Sequence, residues 1–399
     1  NNHLSCFQKT ALIKKSFNFF EKNFLFKKNP LHLGTKKINI MKTLQKQIIT
    51  ICILLSLTGI VFVSCKKDKD NNTAAPATEY GVITGKVHSP KNVAIASAKI
   101  ISGEYSTISN KQGEFSLSLP VGFHNLIIQT GSGHVFKTVT TVQVNTNETI
   151  HLDDTQTELQ QIKQIAFIPG VYDRIETIII DTLGYTATAI TVPSLDNLNF
   201  MQSFGGIFLN CGVSGNLDSL KYANLNNYVI GGGNIYASDW SVEFLTGDGF
   251  FRPSASSFFT NSASKNQSHE AAYSTMSTCT SPLIGGFLPD SALCTAKYGP
   301  VTTVQNAHIL DPDIINVLGK DSMDIYYNLN AWEVINLVDA PFTTIIEDTH
   351  FGLGSLAVAC DLNGAMPAGH ITYTTFHNHP QGNISQDVKL VLQHFILNM

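Results

Sequence analysis

The apolar positions change period partway along the chain. Within residues 79–154 they alternate in short runs: Val82–Val87, Ala98–Ile101, Glu114–Leu119, His124–Gln129, Lys137–Val144 and Thr149–Leu152. Ser89-Pro90, Asn110-Lys111-Gln112-Gly113 and Pro120-Val121-Gly122 punctuate them. A period of two broken by Gly, Pro and Asn predicts six or seven strands, closed as a small β-sandwich. From residue 160 the pattern is different. Gln164–Ile168 is a continuous apolar run ending in Pro169-Gly170, as in a strand buried on both faces. Asp173–Leu183 has helical spacing and stops at Gly184; Thr186–Val192 and Phe204–Cys211 read as strands. Leu217–Val229 reads as a helix broken by Gly231-Gly232-Gly233, and Asn234–Trp240 as a fourth strand with a polar end. Gly369–Asn378 is a late strand, and Asp387–Leu397 a closing helix. Alternating strands and helices predict a mostly parallel α/β sheet covered on both faces, over residues 160–399. The stretch 246–365 is too long for a loop and is expected to be an insertion with structure of its own, including strand-like Asp324–Tyr327 and Thr343–Ile346.

The first 78 residues follow neither pattern. Residues 1–40 carry eight lysines and one acid, without sustained periodicity. Met41 then opens a segment with the three parts of an export signal: Lys42 and Lys46, the apolar run Ile48–Val63, and a small residue, Ser64, before Cys65. On this reading residues 1–40 are upstream sequence; the alternative is a basic amphipathic extension. Residues 66–78 are nearly devoid of apolar side chains and read as a disordered tether. Charge sharpens the division. From Cys65 onward sixteen Lys and Arg face twenty-nine Asp and Glu, a net of −13. A polyanionic body repels phosphate backbones, so no nucleic-acid partner is expected.

The sequence Phe62-Val63-Ser64-Cys65 followed by Lys66-Lys67-Asp68-Lys69-Asp70 resembles the lipobox region of bacterial lipoproteins, and the charged, Asn-rich stretch resembles those of Bacteroidetes. The resemblance implies acylation of Cys65, a membrane partner through that anchor, and residence in the cell envelope, in the outer membrane facing the periplasm or the surface. The pattern Gly85-x-Val87, Ala98-x-Ile100, Gly113-x-Phe115 and Leu119-Pro120-x-Gly122 resembles the carboxypeptidase regulatory-like domain, a transthyretin-type sandwich. Gly113 is expected to supply a positive φ and Phe115 to fill the core. Over residues 160–399 the order of elements, the glycines before Tyr236-Ala237-Ser238-Asp239-Trp240, and the late Thr375-Phe376-His377-Asn378 resemble the class I glutamine amidotransferase-like superfamily, of flavodoxin-like outline.

That resemblance implies a cysteine nucleophile at a glycine-flanked elbow after the fourth strand, and a histidine at the end of a late strand. Here the elbow falls at Ser238-Asp239-Trp240, without a cysteine or a flanking glycine, and His377 takes the histidine's place without the usual Pro-Glu after it. Asp239 or Ser238 with His377 is therefore the candidate catalytic set, set against Asp239 acting only as a helix cap. The departure favours a degenerate domain kept for binding or scaffolding, with a glycan or protein ligand; the alternative is an extracytoplasmic hydrolase. Cys211, at a strand end, reads as a buried or paired thiol, with nucleophile as its alternative. Cys279 and Cys294 are the expected disulfide in an oxidising envelope. No cofactor is expected. His88, His124, His134 and His151 are scattered, and Asp311, Asp313 and Asp324 lack the spaced-acid pattern of a calcium loop, so no metal is expected either.

Overall fold

The computed structural model describes residues 78–213, 217–246, 293–338, 342–350, 352–361, 369–379 and 384–399. The upstream residues, the signal segment, Cys65, nearly all of the tether, and Cys279 lie outside the described residues, as does the side chain of Cys294.

The alternating segment forms seven strands: β1 (Tyr80–Lys86), β2 (Lys99–Ser102), β3 (Tyr105–Ile108), β4 (Glu114–Pro120), β5 (Gly122–Gln129), β6 (Lys137–Val144) and β7 (Thr149–His151). They make a three-stranded sheet of order β4-β1-β7 and a four-stranded sheet of order β3-β2-β5-β6. The period of two does its work on β4, where Phe115, Leu117 and Leu119 are buried while Glu114, Ser116 and Ser118 are exposed. Ile83 of one sheet and Ile100, Leu126 and Ile128 of the other enter the same apolar cluster.

The turn into β4 depends on Gly113. Its φ is +79°, its N–H donates to Asn110 O at 2.8 Å, and an added Cβ would lie 2.3 Å from Val87 O. Gly113→Ala meets both a left-handed backbone and a backbone oxygen that cannot move aside. It is expected to lower the unfolding free energy by about 2–3 kcal/mol in urea titrations. A loss under about 0.5 kcal/mol would show that the turn readily rearranges.

After a short helical turn, Asp154–Thr157, capped by Asp153, the second pattern begins. Its strands are β8 (Gln164–Ile168), β9 (Ala187–Ala189), β10 (Phe204–Leu209) and β11 (Asn234–Ser238). These are followed by β12 (Leu293–Gly299), β13 (Thr302–Ile309), β14 (Ser322–Tyr327), β15 (Trp332–Val338), β16 (Thr343–Asp348), β17 (Gly354–Asp361) and β18 (His370–Thr374). Besides single turns at Leu198–Met201 and Glu243–Thr246, the helices among the described residues are α1 (Ile175–Thr177, continuing as a wider π-type turn over Ile178–Leu183), α2 (Ser219–Ile230), α3 (Pro312–Leu318) and α4 (Gln386–Leu397). α1 ends at Gly184 with φ +85°, as its sequence predicts. The strand expected over Thr186–Val192 is cut short, because Pro193 lies within a 3-10 turn over Val192–Asp196.

A nine-stranded sheet runs β14-β13-β16-β17-β18-β11-β10-β8-β9. From β9 to β18 all four pairings are parallel; from β18 to β14 all four are antiparallel. The sheet is therefore mixed. The long stretch before β18 does not stand apart from it: four of its strands extend the sheet edge, and β12 pairs with β15 in a separate ribbon. Every residue of β10 and β11 is buried, which explains the apolar run of β10 and the apolar centre of β11 between Asn234 and Ser238. α4 covers one face, with Phe395 6.4 Å from the Tyr236 ring. On the other, Leu225, Tyr228 and Val229 of α2 pack in a second cluster with Ile207 and Ile235.

The two parts of residues 77–399 form one compact unit. The Phe136 and Tyr185 rings meet at 4.6 Å, Tyr185 Oη donates to Leu159 O, and Thr130 Oγ1 donates to Leu397 O. Among the described residues no helix is long and apolar enough to cross a membrane.

Candidate functional site

Parallel pairing fixes where the chemistry gathers. Leu209 stands opposite both Ile168 and Ala237, and Ala237 opposite Tyr373, so β8, β10, β11 and β18 all end at one edge of the sheet. The residues that follow them converge there: Asp173 after β8, Asn210 and Cys211 after β10, Asp239 after β11, and Thr375 and His377 after β18. In open α/β sheets this carboxyl edge is where ligands bind.

Asp239 is the pivot. Its φ is +46°, an uncommon conformation for a residue with a side chain, and it sits where β11 turns into the 3-10 helix Asp239–Val242. His377 Nε2 lies 3.6 Å from Asp239 Oδ2. The pair suggested by the sequence is thus brought together, but beneath the surface, with Asp239 5 % and His377 4 % exposed. Both carboxylate oxygens are engaged: Oδ1 accepts the Glu333 N–H at 2.7 Å, and Oδ2 accepts the Cys211 S–H at 3.3 Å. Tyr373 Oη donates to the Asp239 carbonyl at 3.1 Å.

Ser238, the other candidate, is turned inward. It is wholly buried, accepts the Cys211 N–H at 3.0 Å and donates to Asp173 Oδ2 at 2.6 Å. Asp173 is also wholly buried and accepts the Asn378 N–H at 3.2 Å. Burial pushes its carboxyl above the usual aspartate range, while the nearby His377 and the Ser238 hydroxyl oppose that shift. Burial, followed by the Asp239 charge, pushes the Cys211 thiol up, so it is a protonated donor and not a thiolate. Cys211 and Cys360 are both free and buried.

Above this cluster opens a cleft of about 310 Å³ lined by Tyr172, Asp239, Trp240, Tyr327, the loop Asn328–Ala331, Trp332, Thr375, His377 and His379. Trp240 forms a wall: its ring meets Tyr172 edge-on at 5.3 Å, and its Nε1–H donates to Ala331 O at 2.8 Å. Trp332 stacks on Tyr327 at 3.8 Å. His379 is lowered to about 3 by burial and by neighbouring His377, so the cleft meets it as a neutral ring. Asn328 Oδ1 and His377 Nδ1 are buried without a hydrogen-bond partner, two polar atoms that a cleft ligand or water would satisfy.

Asp173, the Asn328–Ala331 loop and Trp332 are site residues that the sequence did not single out. Asp173 had a usable signal, since it follows the Pro169-Gly170 end of a buried strand and so belongs to the carboxyl edge. The loop had none, because it reaches the site through the order of strands in the sheet.

No family model matches the chain, and no curated protein matches it. Among solved structures, a protein described as a GMP synthase component from Thermoplasma acidophilum is 12% identical, with a TM-score of 0.36, over 59% of this chain and 94% of that one. A ThuA-like protein from Bacteroides uniformis is 9% identical, with a TM-score of 0.37, over 58% of this chain and 89% of that one.

Proposed function

We propose that this chain is a lipid-anchored envelope protein in which an amidotransferase-like sheet has become a non-catalytic binding domain. Its cleft takes a glycan, and residues 79–154 form a regulatory-like β-sandwich that supports it. The observation that carries this reading is the engagement of both candidate nucleophiles. The Ser238 hydroxyl is sealed inside, and the Asp239 carboxylate already holds a backbone N–H and a thiol at the cleft floor. A nucleophile needs a lone pair aimed at the substrate; the Ser238 oxygen is turned onto Asp173, and each Asp239 oxygen already commits a lone pair to a protein donor.

The lining supports a sugar. The C–H faces of a pyranose are apolar and suit Trp240 and Tyr172, while its ring-edge hydroxyls suit Asn328, Asn330 and Thr375. The Cys65 lipobox and the tether support placement in the envelope, where glycans are abundant.

Titrating the full chain with a panel of oligosaccharides and peptidoglycan fragments tests the reading. At least one is expected to bind saturably without turnover, and Trp240→Ala to weaken it about tenfold, worth about 1.4 kcal/mol. Absence of saturable binding across the panel would sink it.

One observation favours a hydrolase: the positive φ of Asp239 at a strand-to-helix turn is the strained geometry of a nucleophile elbow. Product release that Asp239→Asn abolishes would establish that reading in place of the first.

A further inference from the structure

We infer that Cys211, Asp239 and His377 together form a zinc site at the floor of the cleft. Cys211 Sγ, one Asp239 carboxylate oxygen and a His377 ring nitrogen all lie within 4.8 Å of one another, and all three residues are more than nine-tenths buried. Zinc bonds of about 2.0–2.3 Å at the tetrahedral angle place neighbouring ligand atoms about 3.3–3.6 Å apart. Two edges of that tetrahedron are already present: 3.3 Å from sulfur to Asp239 Oδ2, and 3.6 Å from Oδ2 to His377 Nε2. The Cys211 S–H already points at the carboxylate that would share the cation; on binding, that proton leaves to solvent and the thiolate coordinates.

The surroundings favour a dication. Asp173 and Asp239 are two buried carboxylates in one cluster, and among the described residues neither forms an ion pair with Lys or Arg. Thiolate, imidazole and carboxylate in a tetrahedral arrangement select zinc over calcium or magnesium, which require more oxygen ligands. The ligands follow neighbouring strands of one parallel sheet. Cys211 follows β10, Asp239 follows β11 and His377 follows β18, and the Glu333 N–H holds the other oxygen of Asp239. Asp239 and His377 also line the cleft, so the fourth position opens towards a ligand oxygen. Three protein ligands with one open position is the coordination zinc adopts where it meets a substrate or ligand.

This inference concerns the cleft proposed above but does not need its sugar, because zinc is measured alone. Full chain stripped with a chelator and titrated with zinc is expected to take up one ion at this site. Its melting temperature should rise by about 5–10 °C at a zinc concentration about a hundredfold above Kd. Cobalt in place of zinc should give the visible bands of a tetrahedral centre and a near-ultraviolet thiolate-to-cobalt charge-transfer band. Cys211→Ser should abolish the charge-transfer band, and His377→Ala should remove the ion. Zinc uptake unchanged in both variants would overturn the site, as would wild-type cobalt spectra without the thiolate band. The wild-type spectrum decides the matter even if a variant fails to fold.

Discussion

Trp332→Ala is expected to cost about 4 kcal/mol of stability, the largest effect of any substitution considered for this chain. Trp332 is 4 % exposed, its ring lies 3.8 Å from Tyr327 at an interplanar angle of 13°, and its Nε1–H donates to Pro300 O at 2.8 Å. A Cβ at Gly299 would lie 2.1 Å from the indole, so the opposite strand is cut to fit this ring. Truncation removes a large apolar surface and strands an acceptor, in a pocket whose β12–β15 ribbon has backbone on both sides and little freedom to collapse. The consequences reach the site. Tyr327 Oη lies 2.6 Å from Thr375 Oγ1, and Glu333, next to Trp332, supplies the N–H that holds Asp239. Urea titration measures the loss. Because the chain has two tryptophans, fluorescence of the variant then reports Trp240 alone, and a red shift there would show the cleft loosening with the stack. Trp332→Phe keeps the stack and should cost about half as much. A loss below about 1 kcal/mol for the alanine variant would mean that the ribbon does not anchor the cleft.

Asp173→Ala is expected to cost about 3 kcal/mol. It leaves the wholly buried Ser238 hydroxyl and the half-buried Asn378 N–H without their Asp173 acceptors. The pH dependence separates this from a simple charge effect. Burial raises the folded-state carboxyl above its ordinary 3.8, so between those two values the folded chain holds a proton that the unfolded chain has released. The stability from that proton is fully present below 3.8 and is lost as pH rises through the folded value, with a slope of at most about 1.4 kcal/mol per pH unit. Asp173→Asn keeps an acceptor and never ionises. It should therefore flatten this slope in denaturant titrations across pH and cost less than alanine at neutral pH. If wild type and Asp173→Asn change in parallel with pH, the carboxyl does not titrate differently in the folded state.

Much of the scaffold is legible from local signals. Gly113 with its positive φ, Phe115 in the core, the α1 stop at Gly184, and the strands at Gln164, Phe204, Asn234 and His370 all follow from period and punctuation. The pairing of Asp239 with His377 was legible too, because both follow strands that parallel topology brings to one edge. Thr186–Val192 misled because its β-branched residues outweigh Pro193 as a local signal. In the 246–365 stretch the strand-like Asp324–Tyr327 and Thr343–Ile346 were legible, but their place in the sheet was not, because a strand's partner lies far away in sequence and antiparallel addition to β18 leaves no local mark.

The sequence by itself determined the strands of the parallel half of the sheet, the edge at which they end and the meeting of Asp239 with His377 there, since these follow from side-chain period, turn chemistry and strand direction. Only the tertiary structure decided what those residues can do. Burial and the direction of each lone pair are properties of the packed edge. They turned Ser238 inward onto Asp173, set the Cys211 thiol against Asp239, and placed the Asn328–Ala331 loop and Trp332 around His377. Local sequence carries no record of these contacts, because each is made between residues more than twenty-five positions apart.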